Sequence, residues 1–167
     1  FSFRILQNLS DFFVINVSSP NTPNLRKLLN KTALDEIIVA LREVTIDRPL
    51  LVKVAPDLTN DAIDDILDLV MSRQLAGIVA TNTTISRPGS TDRLSETGGL
   101  SGAPLWPLAQ ERIGQVLEAA QDRLPVIGVG GVRTPEQAEA LLQMGCQAIQ
   151  IYSGLIFEGP GLPHRIN

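Results

Sequence analysis

The residues of this chain best suited to chemistry are uncharged hydroxyls, amides and glycines, gathered in short runs with one lysine among them. The first run is Asn16-Val17-Ser18-Ser19-Pro20-Asn21-Thr22. Alternate side chains of a strand face opposite ways, so Asn16 and Ser18 share a face, and Ser19 joins Asn16 in a site only where the strand has ended. Pro20 favours that ending, because it biases Ser19 towards extended backbone outside a ladder. An ordinary Asx or Ser-Pro turn would use the same residues. Lys53 stands within Leu50-Leu51-Val52-Lys53-Val54-Ala55-Pro56-Asp57. An ammonium in an apolar strand is costly to bury unless an anion or an electron-rich ligand meets it, with a structural ion pair as the competing explanation. Ala80-Thr81-Asn82-Thr83-Thr84 offers directional hydrogen bonds without charge, which suits a polar heterocycle or else a polar turn. Gly128-Val129-Gly130-Gly131 and Gln150-Ile151-Tyr152-Ser153-Gly154 follow apolar runs, where glycine lets backbone N–H groups approach an anion closely. Close packing of strand on helix would also select those glycines. Glu96-Thr97-Gly98-Gly99-Leu100-Ser101-Gly102 either adds amides to the same region or forms a surface loop. Cys146, His164 and Trp106 find no partners that would make them reactive.

These runs need elements to hold them. Apolar, β-rich stretches at 12–17, 50–55, 77–81, 126–129 and 148–152 read as strands, most of them nearly continuous in hydrophobicity, as strands of a parallel sheet are. Helical period falls between them: Leu34, Ile37, Ile38 and Leu41 share a face over 33–43, and Ile63, Ile66, Leu67 and Val70 over 61–71. Thr59 with Ala62, or Asn60 with Ile63, caps the second helix. A third covers 108–120, and a fourth begins at Thr134-Pro135-Glu136 and stops at Met144 before Gly145. Alternation of this kind implies an α/β fold, either a (β/α)8 TIM barrel or an open doubly wound sheet. Polar or glycine-rich residues follow all five strands rather than one switch point, which favours the barrel. A barrel takes about 250 residues and eight strands, so the chain is expected to be the second part of one, with segment 85–107 as a functional loop.

Bulk composition narrows the function classes. With 44% hydrophobic and 19% charged residues, the 167-residue chain can bury one sizeable core as a soluble domain or part of one. A net charge of −4, with no basic cluster beyond the Arg26-Lys27 pair, disfavours nucleic acid as a partner. The single cysteine excludes an intrachain disulfide and points to a reducing compartment; no Cys/His group has metal-ligand spacing. No apolar stretch approaches the roughly 20 residues of a membrane span. The chain opens without Met inside an amphipathic segment, which suggests a missing upstream part.

Taken together and in order, NVSSPNT, VKVAPDLT, ATNTT, GGLSG, GVGGV and QIYSG resemble the dihydroorotate dehydrogenase family across nearly the whole chain. The resemblance implies a (β/α)8 barrel carrying FMN at the carboxyl ends of its strands, with these five strands as the fourth to eighth and residues 1–167 as the C-terminal portion of one FMN-binding domain. Serine at position 19, where the cytosolic class carries cysteine, implies the quinone-dependent class. The implied chemistry removes a proton from C5 of dihydroorotate and a hydride from C6, giving orotate. Ser19 would be the base and Thr22 part of its proton path, since a serine hydroxyl needs an oriented path to act near neutral pH. Lys53 would sit by the flavin and stabilise its reduced, anionic form. Asn16, Asn21, Asn82 and Thr83 would hold the substrate, Asn16 also touching the flavin. Thr81, Ser101, Gly102, Gly130, Gly131, Tyr152 and Ser153 would bind FMN. Peripheral contact with the cytoplasmic side of a bacterial inner membrane, and the quinone route, would belong to an N-terminal part outside this sequence. Two other readings stay open: another FMN- or phosphate-binding barrel oxidoreductase, and a non-catalytic half-barrel.

Overall fold

The structure is a computed structural model that describes residues 2–44, 48–87 and 97–167. Its elements in chain order are α1 (Ser2–Leu6), β1 (Phe13–Ile15), α2 (Lys31–Arg42), β2 (Leu50–Val54), α3 (Asn60–Ser72), β3 (Gly77–Ala80), α4 (Trp106–Ala120), β4 (Val126–Val129), α5 (Pro135–Met144), β5 (Ala148–Gln150), α6 (Ser153–Glu158) and α7 (Leu162–Ile166). Single 3-10 turns at Leu25–Leu29 and Ala103–Leu105 precede α2 and α4.

All strands pair in parallel and in sequence order, β1-β2-β3-β4-β5. A doubly wound sheet would reverse its order and carry helices on both faces. Here the helices cover one face only. Ile15, Val52, Val54, Ile78 and Val126 point into the large core, where they meet Leu34 and Ile38 of α2, Ile66 and Val70 of α3, Ile113 and Val116 of α4 and Leu141 of α5. Burying each such side chain contributes about 1.5–3 kcal/mol. The opposite face carries only a thin cluster of strand residues: Leu51, Val79 and Val129, flanked by Val14, Ala76 and Ile127. A one-sided helical layer over a sheet in sequential order is a sector of a (β/α) barrel.

Local signals account for the helix ends. The Thr59 hydroxyl accepts from the Ala62 N–H at 3.3 Å to begin α3. Thr134 and Gln137 form a reciprocal capping box ahead of Pro135, and Gly145, at φ 117°, ends α5. Several expected bounds differ from what is found, among them β5, which ends at Gln150 instead of 152. Strand β1 stops at Ile15 instead of 17, because the next segment turns its carbonyls to side chains: Ser18 O accepts from Arg26 Nε at 2.9 Å. Within the described part of the 85–107 connection, Leu100 forms an antiparallel bridge with Thr84, and α4 begins at Trp106 instead of 108. Residues 88–96 of that connection, Glu96 among them, lie outside the described residues. Among the described residues no helix is long and apolar enough to cross a membrane. Cys146 is buried, and its thiol is pushed up to about 11 by that burial.

Candidate active site

Parity along the strands builds the site. On the face away from the helices, the apolar layer of Val14, Leu51, Val79 and Ile127 lies low in the sheet. One step of two residues towards the carboxyl ends, the same face presents Asn16, Lys53, Thr81 and Val129. Above the strand ends opens a cleft of about 220 Å³ lined by Lys53, Thr81, Asn82, Thr83, Ser101, Gly102, Gly130, Gly131, Tyr152 and Ser153. Leu105, Val129, Val132, Gln150 and Gly154 complete its wall.

Lys53 is the one charged residue among those lining the cleft. It forms no ion pair with any of the described residues, and burial pushes its ammonium below the usual lysine range. The structural ion pair that would have explained it away is therefore absent among the described residues. The Thr83 hydroxyl is buried without a hydrogen-bond partner beside it. That hydroxyl is packed under Gly99 and is not open to the cleft, so the cation is the unmatched group that faces this space.

The segment after β3 is held from both sides. Thr81 N–H donates to Val129 O at 2.7 Å and Asn82 N–H to Val54 O at 2.9 Å. The Asn82 amide donates to Asn16 Oδ1 at 3.1 Å and to Ser18 Oγ at 2.9 Å, while Ser18 Oγ donates to Asn16 Oδ1 at 3.1 Å. Ser18 is fully buried and lies on the same face as Asn16, as strand parity requires. Segment 97–102 is pinned by the Thr84–Leu100 bridge and by Gly99 N–H donating to Asn21 Oδ1 at 2.9 Å.

The glycines serve packing and the site together. Gly131, at φ 77°, would place a Cβ 2.6 Å from Gly102 O and 2.8 Å from Trp106 N. Gly130 would place one 2.6 Å from the Ala109 Cβ. Both lie in the cleft wall, where the Ser153 hydroxyl donates to the Ser101 hydroxyl at 3.0 Å. Backbone N–H groups and two hydroxyls at a bare glycine cradle suit an anion.

Ser19 and Thr22 stand apart from that wall. Both line a second, more open groove with Pro20, Pro23, Asn24, Arg26, Lys27 and Ile85. Ser19 Oγ accepts from the Asn21 N–H at 3.3 Å. Asn16 and Asn21 join the cleft through their bonds to Asn82 and Gly99 instead of lining it. Sequence reasoning assigned no role to Ser18, Gln150, Arg26, Asp57 or Thr84. Gln150 had a visible signal, since it shares strand parity with Ala148 at the end of β5, whereas the pairing of Arg26 with Asp57 spans 31 residues and has none.

Known proteins resemble this chain along its full extent. The family model for dihydroorotate dehydrogenase matches residues 1–167. A dihydroorotate dehydrogenase (quinone) of Gloeobacter violaceus is 47% identical over 167 residues, covering 99% of this chain and 47% of that protein. One from Trichodesmium erythraeum is 45% identical over 175 residues, covering 99% of the chain and 46% of the relative. The chain thus spans about half the length of the curated relatives it matches. The crystal structure of DHODH from Eimeria tenella in complex with ferulenol superposes with a TM-score of 0.92 at 30% identity, covering 99% of this chain and 50% of that one. With a family model matched from residue 1 to 167 and a barrel sector that superposes on a solved member, this chain belongs to the dihydroorotate dehydrogenase family.

Proposed function

We propose that the complete protein oxidises dihydroorotate to orotate, with FMN as hydride acceptor and a quinone as final oxidant, and that residues 1–167 are the C-terminal portion of its single FMN-binding barrel domain. The observation that carries this reading is one cleft at the strand ends that combines a partly buried Lys53, without an ion-pair partner among the described residues, with a rim of hydroxyls and glycines. The residues fit FMN on two counts. The Gly130-Gly131 cradle, which a Cβ would fill, and the paired hydroxyls of Ser101 and Ser153 suit a phosphate. Lys53 meets no counter-charge among the described residues and so favours the more negative state of whatever lies against it. When bound, FMN takes up the hydride from C6 of the substrate.

The chain's own groups divide the remaining work. Thr81, Ser101, Gly102, Gly130, Gly131, Tyr152 and Ser153 bind FMN, with Lys53 and Asn16 at its ring. Asn16, Asn21, Asn82 and Thr83 hold the dihydroorotate ring; that Asn82 and Thr83 line the cleft, and that Asn16 is bonded to Asn82, supports this. Ser19 gives up its hydroxyl proton and takes the C5 proton in its place, and the N–H of Asn21 directed at its Oγ stabilises the negative charge that Oγ carries between the two transfers. Because Thr22 lines the same groove as Ser19, that groove is the route by which the proton leaves. We assign the quinone route and a peripheral contact with the cytoplasmic side of a bacterial inner membrane to the part of the protein outside residues 1–167, the quinone-type relatives being about twice as long as this chain.

The test is the visible spectrum of the protein with its upstream half restored, recorded anaerobically before and after adding dihydroorotate. Bound flavin that bleaches on addition is the expected result. Bound flavin indifferent to dihydroorotate would overturn the substrate assignment, and absence of flavin would overturn the cofactor assignment.

A further inference from the structure

A single guanidinium joins three of the loops that carry the site. Arg26 Nε donates to Ser18 O at 2.9 Å, Nη2 to Thr83 O at 2.9 Å, and Nη1 to Asp57 Oδ2 at 2.8 Å. Asp57 in turn accepts the Thr84 hydroxyl on Oδ1 and the Ile85 N–H on Oδ2 at 3.2 Å. Both partners are largely withdrawn from solvent, with side chains 22% and 14% exposed. The two carbonyls are not arbitrary: Ser18 immediately precedes Ser19, and Thr83 lines the cleft beside Asn82.

We infer that Arg26 and Asp57 are positioning residues for the proposed reaction: their fork sets the separation between the loop bearing Ser19 and the loop bearing Asn82 and Thr83. This rests on the reading of Ser19 as base and of Asn82 and Thr83 as substrate-binding groups. The planar fork presents its N–H groups in fixed directions, and only a guanidinium can reach the two carbonyls and the carboxylate together; a lysine at this place is a single point donor. Asp57 does two things. It orients the fork, and it cancels the fork's charge, so that Lys53 remains the unbalanced cation of the site. Strand parity alone could not place these loops, since both segments have left the ladder where Arg26 grips them.

The experiment uses the protein with its upstream half restored, comparing Arg26→Lys and Thr84→Val with wild type. Flavin content, the melting temperature of the flavin-loaded protein, and the rate of flavin bleaching by dihydroorotate in a single anaerobic turnover are measured on the same samples. A positioning role predicts that flavin stays bound while the bleaching rate per bound flavin falls about 100-fold in Arg26→Lys, the scale of an ångström-sized misplacement of reacting groups. The fall is smaller in Thr84→Val, which leaves the fork but loosens Asp57. A merely structural role would lower melting temperature and flavin content while the rate per bound flavin stayed at the wild-type value, and that result overturns the inference. If Arg26→Lys fails to fold, Thr84→Val decides on the same readout. A wild-type flavin that dihydroorotate does not bleach overturns the parent reading and this one with it; a wild type that bleaches alongside variants that bleach equally fast overturns the positioning role alone.

Discussion

Replacing Gly131 with alanine tests the tightest joint of the site. At φ 77° an L side chain pays for the left-handed conformation, about 1–2 kcal/mol. The added Cβ would also stand 2.6 Å from Gly102 O, 2.8 Å from Trp106 N and 3.0 Å from Trp106 Cα. All three are backbone atoms, so no side chain can swing away, and the start of α4 has to move at an overpacking cost of about 1–3 kcal/mol. The expected loss is about 2–5 kcal/mol, a large share of the stability of an ordinary domain. Gly145 provides the control: its φ is 117°, in the left-handed region, and a Cβ there meets only Leu117 Cδ2, at an ordinary contact distance of 3.6 Å. Gly145→Ala therefore isolates the conformational cost. Urea melts of both variants separate the two contributions, and flavin affinity should fall only in Gly131→Ala, because the displaced segment carries Ser101 and Gly102. Equal losses in the two variants would refute the close approach of Gly131 to that segment, and with it the account of the cradle.

Two further outcomes follow from burial. The folded state disfavours charged Lys53, so the unfolded chain holds that proton more tightly; the resulting destabilisation is complete below the lowered folded value and lifts as pH rises towards 10.5. Lys53→Met should raise stability in urea by about 0.5–2 kcal/mol at neutral pH, with the advantage narrowing towards pH 10.5, while flavin affinity falls; a less stable variant would show that the ammonium is satisfied after all. Cys146, at 5% exposure and pushed up to about 11, should resist a thiol reagent at mildly alkaline pH until the protein is unfolded in urea, and prompt labelling of the native protein would contradict its burial beneath Gly128.

How much was legible depended on whether a signal was local. Strands β2, β3 and β4 could be placed to within a residue because both faces of each are covered, leaving continuous apolar runs such as Leu50-Leu51-Val52. Helix α5 could be read from Thr134, Pro135 and Gly145 because caps act over one turn. Of the cleft wall, Lys53 stood out as a cation within an apolar strand and Gly130 and Gly131 as glycines at a strand end, whereas the roles of Thr81, Ser101, Gly102, Tyr152 and Ser153 rested on the family resemblance. Segment 16–22 resisted a local reading. Past Ile15 the backbone answers to Arg26 and not to a neighbouring strand, so parity still paired Asn16 with Ser18 but could not say which way Ser19 and Thr22 would turn. Arg26 looked like half of a basic surface pair, and only the pairing of β1 with β2 brings it to Asp57.

Division of labour between the two faces of the sheet explains why the site can hold an unmatched charge at all. The helix-covered face carries nearly all the large buried side chains, and the other face keeps a thin apolar layer with polar residues just above it. Stability is therefore built on one side, and the opposite side is left free to carry a partly buried ammonium at Lys53. The ammonium costs stability because it is desolvated, and an anion or an electron-rich group laid against it would offset that cost, so the residue that weakens this face is also one that can hold a ligand. Arg26 and Asp57 complete the pattern from outside the cleft: by satisfying each other and the loop carbonyls, they add rigidity without adding net charge to the place where Lys53 acts.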